Sequence, residues 1–277
     1  GLADYAVLIP NQLLETLKDN PSVTVSFHSS WTNEFYLLNT KKYPTSDIWF
    51  RRAIASSLDR NTLVEHIYKN TALEPRGLIP QNIPLFSEPD SLVKFDLNLA
   101  KNYLKQSKVD LEKVSLSLSY VSTYEEYRLT AFMLLDNLRK IGVDLELNPG
   151  LWSTNWDRAK NLKTSPNVIS MAWWPTVSSP SDWFFALYNT QKSPLFNLSY
   201  YSNNKIDSLI QRAWELEATQ PYAAKSIYRE IQNILIDDCV VIPAVDIKIP
   251  SVRKSNISGL KSNPAYSTIF VYELSRN

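Results

Sequence analysis

The sequence contains little of what catalysis or metal binding usually needs. Its 277 residues include two histidines and one cysteine, Cys239, which can form no internal disulfide. Neither histidine has a partner at the spacing of a metal site, and the common motifs for zinc, phosphate or dinucleotide binding and for a nucleophilic serine are missing. We therefore expect no catalytic residues, no metal and no cofactor, and a buried, unreactive thiol at Cys239.

Excess charge and long apolar runs are also lacking. The formal net charge is +1, so the overall charge gives no indication of binding to nucleic acid. The longest apolar runs, such as VVIPAV, are far shorter than the roughly 20 residues that span a bilayer. With 44% hydrophobic and 21% charged residues, the composition is that of a folded globular protein. The start, GLADYAVLIP, has neither an initiator Met nor a targeting signal, which we interpret as a processed form or a fragment.

The sequence does contain an alternation of strand and helix patterns. The clearest unit is a strand at SLSLSY (115–120), a helix from Glu125 to Ile141 and a strand at VDLEL (143–147). Strand, helix and strand joined by short turns predict a parallel βαβ unit. The predicted helix N-caps are Asp47, Asn61 and Asp96. Further strands are predicted at 22–28, 34–39, 168–174, 240–245 and 268–274, and the fold class is mixed α/β.

Aromatic residues are plentiful, at 12%, and several tryptophans lie where predicted strands end. The stretch AWWPTVSSPSDWF (172–184) holds Trp173, Trp174 and Trp183, and WSTNW begins with Trp152. Ligands of open α/β sheets bind at the carboxyl ends of the strands, in pockets that combine apolar walls with a few polar groups. Trp152 and Trp173 are therefore about equally compatible with a ligand-binding wall and with a core position. Trp183 is predicted to be core.

Residues 39–60, NTKKYPTSDIWFRRAIASSLDR, resemble the signature region of the family 5 extracellular solute-binding proteins. These are the oligopeptide- and dipeptide-binding components of ABC importers. The resemblance lies in an Asn-ending strand, a Pro turn, an Asp cap and an R-x-A-[IL] helix that ends in Asp-Arg. The matching positions are Asn39, Pro44, Asp47, Arg51 or Arg52, Ala53, Ile54, Asp59 and Arg60. GLADYAV, EPRGLIP (74–80), FDLNLAKNYL and VVIPAV resemble further family segments in the same order.

The resemblance implies a fold and a division of the chain. Family members are about twice this length and have two lobes, and this chain resembles their second half. The implied fold is an α/β lobe of the periplasmic-binding-protein type (type II, cluster C-like), with a mixed sheet, flanking helices and partial segments of the other lobe. The implied segments are 1–38 in the first lobe, 39–247 as the second lobe, and 248–277 returning to the first lobe.

The implied function is transport without catalysis. A substrate-binding protein of this family closes its lobes over a peptide or another small solute and delivers it to the permease subunits of an ABC importer. The implied location is the periplasm or the cell exterior, with membrane contact only through a lipid anchor outside this chain. The alternative is the ligand-sensing domain of a regulator, because the same fold can follow a DNA-binding module.

The resemblance also points to a site, and there the sequence departs from the family. Peptide-binding members carry a W-x-x-D-x-x-D-P turn whose first Asp pairs with the α-ammonium of the peptide. Trp173 and Pro180 match this turn, but Thr176 and Ser179 stand at the Asp positions. A buried ammonium without a counter-charge is costly, by several kcal/mol, so another carboxylate must replace the Asp or the ligand has no amine there. The implied ligand-binding residues are Trp152, Trp173, Trp174 and Thr176, with Asn33, Glu34 and Phe35 bordering the cleft and Glu34 as the candidate replacement carboxylate.

Overall fold

The structure, a computed structural model, describes residues 3–7, 9–69, 71–265 and 271–277. Its strands are β1 (Tyr5–Val7), β2 (Val23–Leu38), β3 (Ala72–Leu73), β4 (Leu116–Val121), β5 (Leu145–Gly150), β6 (Val168–Trp173), β7 (Val241–Lys254), β8 (Ile257–Ser258) and β9 (Ser275–Arg276). Its helices are α1 (Asn11–Lys18), α2 (Ile48–Ala55), α3 (Arg60–Thr62, continued by a π-helical turn at Leu63–Ile67), α4 (Leu97–Gln106), α5 (Glu125–Lys140), α6 (Trp152–Ala159), α7 (Ser181–Leu187), α8 (Asn204–Leu216) and α9 (Pro221–Asp237). The predicted mixed α/β class is confirmed.

A mixed sheet organises the molecule. Within the described residues, seven strands form it in the order β1-β7-β2-β6-β4-β5, with β3 also pairing with β7. The pairs β4–β5 and β4–β6 are parallel and the others are antiparallel. The predicted βαβ unit is confirmed as β4, α5 and β5. β5 begins at Leu145 rather than at residue 143 and includes Pro149, which an edge strand tolerates because its outer N–H groups need no partner.

β2 is a single strand of 16 residues, so the prediction of two strands, at 22–28 and 34–39, is wrong. Its pairing with β7 is interrupted only by register shifts, between Ser29 and Asn33 and between Glu34 and Phe35. The residues between the two predicted strands, SSWTN, have the composition of a loop. The backbone stays extended because β-bulges take up extra residues while the pairing continues on either side.

The side chains of β2 alternate between two hydrophobic cores, one on each face of the sheet. Phe35 and Leu37 pack into one core, and Tyr36 and Leu38 pack into the other. Residues of α2, α4 and α5 complete the core around Tyr36, whereas residues of α7, α8 and α9 complete the core around Phe35. The result is a layer of helices on each face of one sheet. No helix in the described part of the chain is long and apolar enough to cross a membrane.

Two of the three predicted helix N-caps are confirmed. The side chain of Asp47 accepts a hydrogen bond from Phe50 N, and that of Asp96 accepts from Asn98 N and Leu99 N, as predicted. Asn61 is not a cap. α3 begins earlier than predicted, because the carboxylate of Asp59 takes the capping position and accepts from Thr62 N.

The end of the chain differs from the predicted strand at 268–274. Residues 268–270 lie outside the described residues. Val271–Glu273 form a 3₁₀ turn rather than a strand. Among the residues described here, extended structure follows at β9, where Ser275 and Arg276 pair with β8. The apolar, β-branched composition therefore predicts a strand where residues 271–273 form a turn.

Arg51 of the signature region is a buried structural cation. Its guanidinium donates to the carbonyl oxygens of Thr45 (2.8 Å), Ser46 (3.2 Å), Asp238 (2.7 Å) and Cys239 (2.9 Å). These carbonyls belong to the turn before α2 and to the turn between α9 and β7. One planar fork thus joins two segments that are nearly 190 residues apart in the chain.

We expect Arg51→Lys to lower the free energy of unfolding by roughly 2–4 kcal/mol, because a single ammonium cannot reach all four carbonyls and leaves some of them unpaired. Arg52→Lys is the matched control. Arg52 is only half-buried, donates to Asp237 O at 2.8 Å and lies over the ring of Trp49, so its loss should cost less than about 1 kcal/mol. Urea unfolding measures both; equal losses would contradict the role given to Arg51.

Candidate functional site

The carboxyl ends of three parallel strands meet at one edge of the sheet. β4 ends at Val121, β5 at Gly150 and β6 at Trp173, and β2 places Asn33 opposite Trp173. Large side chains stand exposed just beyond these ends. We call them the aromatic edge: Tyr124 (59% exposed), Leu151 (59%), Trp152 (36%) and Trp174 (63%). This is the edge at which open α/β sheets bind ligands.

The three tryptophans of the stretch 172–184 have different surroundings, and the predicted core position of Trp183 is confirmed. Trp183 is completely buried and belongs to the core that contains Phe35. Trp173 is half-buried, and its ring meets that of Phe196 edge-on at a centroid distance of 5.1 Å. Trp174, one position later, is exposed. β6 ends at Trp173, so Trp173 still packs against the sheet layer, whereas Trp174 lies just beyond the strand and is open to solvent.

Asp182 organises the turn after β6. Its Oδ2 accepts from Trp173 Nε1 at 2.7 Å, and its Oδ1 accepts from Thr176 Oγ1 at 2.5 Å and Thr176 N at 3.2 Å. The carboxylate that contacts Thr176 is therefore Asp182, which is not among the predicted site residues. A signal was present: Asp182 is the single charged residue of the stretch 172–184.

Ser179, at the second Asp position of the family turn, is buried in packing. Its hydroxyl donates to the carboxylate of Glu217, which also accepts from Tyr228 OH. Glu217 follows α8 and Tyr228 lies on α9. Ser179 thus joins the turn to the helical layer, with its hydroxyl facing inward.

Asn33 and Phe35 lie behind the aromatic edge rather than on it. Each is 1% exposed. The amide of Asn33 donates to Leu78 O at 3.0 Å, and its oxygen accepts from Trp183 Nε1 at 2.9 Å. Their side chains are fully engaged in packing and leave no surface for a ligand in this structure.

Glu34 points to the opposite face of β2 and is held by tyrosines. Its carboxyl accepts from Tyr68 OH, and Tyr127 also hydrogen bonds to it. Burial raises the pKa of Glu34 to about 8; the tyrosine hydrogen bonds offset part of this rise and nearby Glu126 adds to it. At neutral pH the carboxyl is mostly protonated, which makes it a poor counter-ion for an ammonium.

Asp246 is a second buried carboxyl near this edge. It lies on β7 opposite Asn33 and is 3% exposed. Its Oδ2 accepts from Gln81 N (3.1 Å) and Gln81 Nε2 (3.3 Å), while its Oδ1 is buried without a hydrogen-bond partner among the described residues. Burial raises the pKa of Asp246 to about 7, and the hydrogen bonds from Gln81 limit the rise.

The remaining reactive residue types are scattered. Cys239 is buried, and burial raises the pKa of its thiol to about 12. His28 pairs with Ser251 Oγ at 2.9 Å, whereas His66 is exposed on the π-helical turn. Across the described ranges, no group of three or more His, Cys, Asp or Glu residues is placed to hold a metal ion.

The chain matches the sequence model of the bacterial extracellular solute-binding proteins, family 5 Middle, over residues 1–194. It belongs to this family. The predicted resemblance is thereby confirmed. Over 271 residues the chain is 24% identical to the Escherichia coli (strain K12) protein named "Probable D,D-dipeptide-binding periplasmic protein DdpA", and the match covers 98% of this chain and 51% of that protein. The chain spans about half the length of the curated relatives it matches.

Solved structures show the same fold. A dipeptide-binding protein from Pseudoalteromonas sp. SM9913 in complex with Met-Leu has a TM-score of 0.83 at 18% identity, over 100% of this chain and 54% of that one. The ABC transporter substrate-binding protein CtaP from Listeria monocytogenes has a TM-score of 0.88 at 19% identity, over 99% of this chain and 56% of that one. The predicted fold class, a type II periplasmic-binding-protein lobe with a mixed sheet, is confirmed.

We expect Thr176→Asp to be destabilising, because it removes the hydroxyl donor and sets a second carboxylate against Asp182. Thr176→Asn is the matched control, since an amide can still donate to Asp182. The Asp variant should be less stable than the Asn variant by roughly 1–3 kcal/mol at pH 7. Chemical unfolding measures the difference, and equal stability of the two variants would contradict the contact.

Asp246 predicts a dependence of stability on pH. Its pKa is about 7 in the folded chain, against 3.8 as the ordinary value. Between these pH values the folded state holds a proton that the unfolded state has released. Stability therefore falls as pH rises towards 7, by at most about 1.4 kcal/mol per pH unit for one group.

Asp246→Asn removes this contribution. The unfolding free energy of the variant relative to that of the wild type should rise between pH 5 and pH 8, as measured by urea unfolding at each pH. Asp136→Asn, an exposed residue of α5, is the control for loss of one negative charge. Parallel pH curves for Asp246→Asn and the wild type would contradict the raised pKa of this buried carboxyl.

Proposed function

We propose that this chain supplies most of one lobe of a solute-binding protein that binds a peptide, or a related small solute, in a cleft between two lobes. The observation that carries the proposal is the aromatic edge. Two tryptophans, a tyrosine and a leucine stand exposed where strands β4, β5 and β6 end. Burial of such side chains against a ligand is favourable, and exposed apolar groups clustered at a strand-end edge are typical of binding surfaces.

The proposed ligand-binding residues follow from their exposure. Trp152, Trp174 and the half-buried Trp173 present apolar surface, and Thr176 lies in the turn that Asp182 holds. Asn33 and Phe35 act from behind by fixing the wall. Glu34, enclosed by Tyr68 and Tyr127, shapes the edge without supplying a charge at neutral pH.

The proposed division of the chain keeps the segments 1–38, 39–247 and 248–277. The long strands support it, because β2 and β7 continue beyond the sheet core as a pair and β7 also pairs with β1. Residues 1–38 and 248–277 would then belong to the first lobe, and 39–247 to the second. The other lobe would supply the facing wall of the cleft and allow closure by hinge motion.

The proposed context is import across a bacterial membrane. Two relatives are named as periplasmic proteins of dipeptide binding and of peptide transport, and a third as a probable ABC transporter periplasmic-binding protein. These names support a location in the periplasm or outside the cell and a role with ABC permease subunits. A lipid anchor outside this chain belongs to the same proposal. The alternative, a ligand-sensing domain of a regulator, receives no support from the family or from these relatives.

The experiment compares tryptophans in the longer protein that carries this chain. Trp152→Ala should weaken binding of a pooled library of synthetic di- to pentapeptides by roughly 1–3 kcal/mol, because an aromatic anchor is lost. It should change stability little, because the side chain is partly exposed. Trp183→Ala should instead cost about 3–5 kcal/mol of stability. Calorimetry measures the binding and urea unfolding the stability.

Trp49→Ala is the matched control, because Trp49 is half-buried on α2, away from the aromatic edge. Its loss should leave peptide binding unchanged. The proposal fails if the wild-type protein binds no member of the library, or if Trp49→Ala weakens binding as much as Trp152→Ala does.

A further inference from the structure

The first turn of α5 contacts three different parts of the molecule. Tyr124, the residue before the helix, stands exposed on the aromatic edge. Glu126 accepts a hydrogen bond from Asn11 Nδ2 on α1 at 2.9 Å. Tyr127 is buried, and its hydroxyl reaches the carboxyl of Glu34 on β2. A single helical turn therefore connects Glu34 to the aromatic edge.

Glu34 is also contacted by Tyr68, and the backbone departs from regular geometry where it places this residue. Tyr68 ends the π-helical turn Leu63–Ile67, and Lys69 after it has a φ of 47°. Residues other than glycine rarely adopt this left-handed conformation, and both features are typical of functional sites. The carbonyl of Tyr68 accepts from Thr71 Oγ1 at 2.6 Å and from Thr71 N at 2.8 Å. The irregular segment thus holds the Tyr68 hydroxyl against Glu34.

The titratable groups that face Glu34 include no cation in the described part of the chain. They are Tyr36 on β2, Tyr68, and Tyr127 and Glu126 on α5. Burial raises the pKa of Tyr68 and of Tyr127 well above the ordinary value, so both hydroxyls keep their protons and act as donors. Burial raises the pKa of Glu34 to about 8, so the carboxyl is neutral at lower pH and suits this ring of hydroxyls. At higher pH it becomes a carboxylate, which Glu126 repels.

We propose that Glu34 is a positioning residue for the aromatic edge: through Tyr127 it holds the first turn of α5, and with that turn the ring of Tyr124. The ring centroids of Tyr124 and Tyr127 lie 5.4 Å apart, so the position of one ring depends on the other. Neutral Glu34 keeps the turn in place, whereas ionised Glu34 and Glu126 push the turn away from β2. The inference rests on the proposed function in that Tyr124 then belongs to the surface that meets the solute, and the solute binds less tightly once Glu34 has lost its proton.

The test uses the full chain with tyrosine labelled with ¹³C in the ring. It follows the Tyr124 signal, assigned with Tyr124→Phe, between pH 6 and pH 9. In the wild type this signal should shift in a step with a midpoint at about pH 8, because Glu34 ionises there. The signal of Tyr222, an exposed residue of α9, is the internal control and should show no such step.

Glu34→Gln keeps the shape of the side chain and fixes the neutral state. It should hold the Tyr124 signal near its wild-type position at pH 6 and remove the step. Glu126→Gln is the matched control, since it keeps an acceptor for Asn11 but removes a charge that raises the pKa of Glu34; it should move the step to lower pH. If Glu34→Gln fails to fold, Tyr127→Phe takes its place. It lacks only the hydroxyl that reaches Glu34 and should also remove the step.

The second measurement concerns the solute. In the longer protein, calorimetry compares the binding of the pooled peptide library to the wild type and to Glu34→Gln at pH 6 and at pH 9. The ratio of the two affinities cancels the titration of the peptides' own amines. The ratio of wild-type to variant affinity should fall roughly fivefold from pH 6 to pH 9, because the wild type alone loses the neutral carboxyl at this position.

Each of three results would overturn the inference: a wild-type Tyr124 signal without the step, the same step in Glu34→Gln, or an affinity ratio that does not change with pH. A merely structural role of Glu34 would lower the stability of the variant without moving these readouts. Failure of the inference is distinct from failure of the proposed function, because the tyrosine signal needs no solute. The longer protein could still bind peptides in a manner that depends on Trp152. Conversely, a step at Tyr124 that depends on Glu34 would stand even if no peptide bound.

Discussion

The backbone pairing of β2 with β7 is the constraint on which the rest of the structure depends. The two strands run side by side from Val23–Lys254 at one end to Leu37–Val241 at the other. Every side chain of β2 is assigned to one face or the other by this register, and a slip of one residue would exchange all of them. Glu34 would then enter the core that Phe35 fills, and Phe35 would meet the tyrosines. Both cores thus depend on one set of main-chain hydrogen bonds.

Behind the aromatic edge, buried polar side chains form hydrogen bonds to backbone atoms of a loop that is not paired with the sheet. Asn33 bonds to Leu78 O and to the Trp183 indole. Gln232, fully buried on α9, accepts from Leu78 N at 2.8 Å and donates to Ser87 O at 2.6 Å. A Cβ on Gly77 would lie 2.5 Å from Oε1 of Gln232 and 2.9 Å from the ring of Phe86, so a larger residue there would displace these side chains. This close approach explains why the segment EPRGLIP has a glycine at position 77.

Local signals predicted the local structure, and the family resemblance predicted the fold. The caps at Asp47 and Asp96, the βαβ unit and the core position of Trp183 follow from spacing and periodicity over a few residues. The continuity of β2 did not follow, because its polar middle section is stabilised by a partner strand more than 200 residues away. The same holds for the site. Tyr68 and Tyr127 reach Glu34 from distant elements, and no short window of sequence shows that a carboxyl at position 34 will lose its charge. Asp182 is not predicted as a site residue because it lies outside the family turn, which ends at Pro180. The first turn of α7 brings its carboxylate to Thr176.

The outer strand of the sheet has a consequence for how the protein behaves in solution. β5 pairs on one side with β4 and ends the order of strands within the described residues. Such an edge can recruit strands from other molecules and begin aggregation. Pro149 supplies no N–H for a new ladder, and the exposed charge of Glu146 opposes a flat apolar approach. Pro149 therefore protects this edge of the sheet against edge-to-edge association with another molecule.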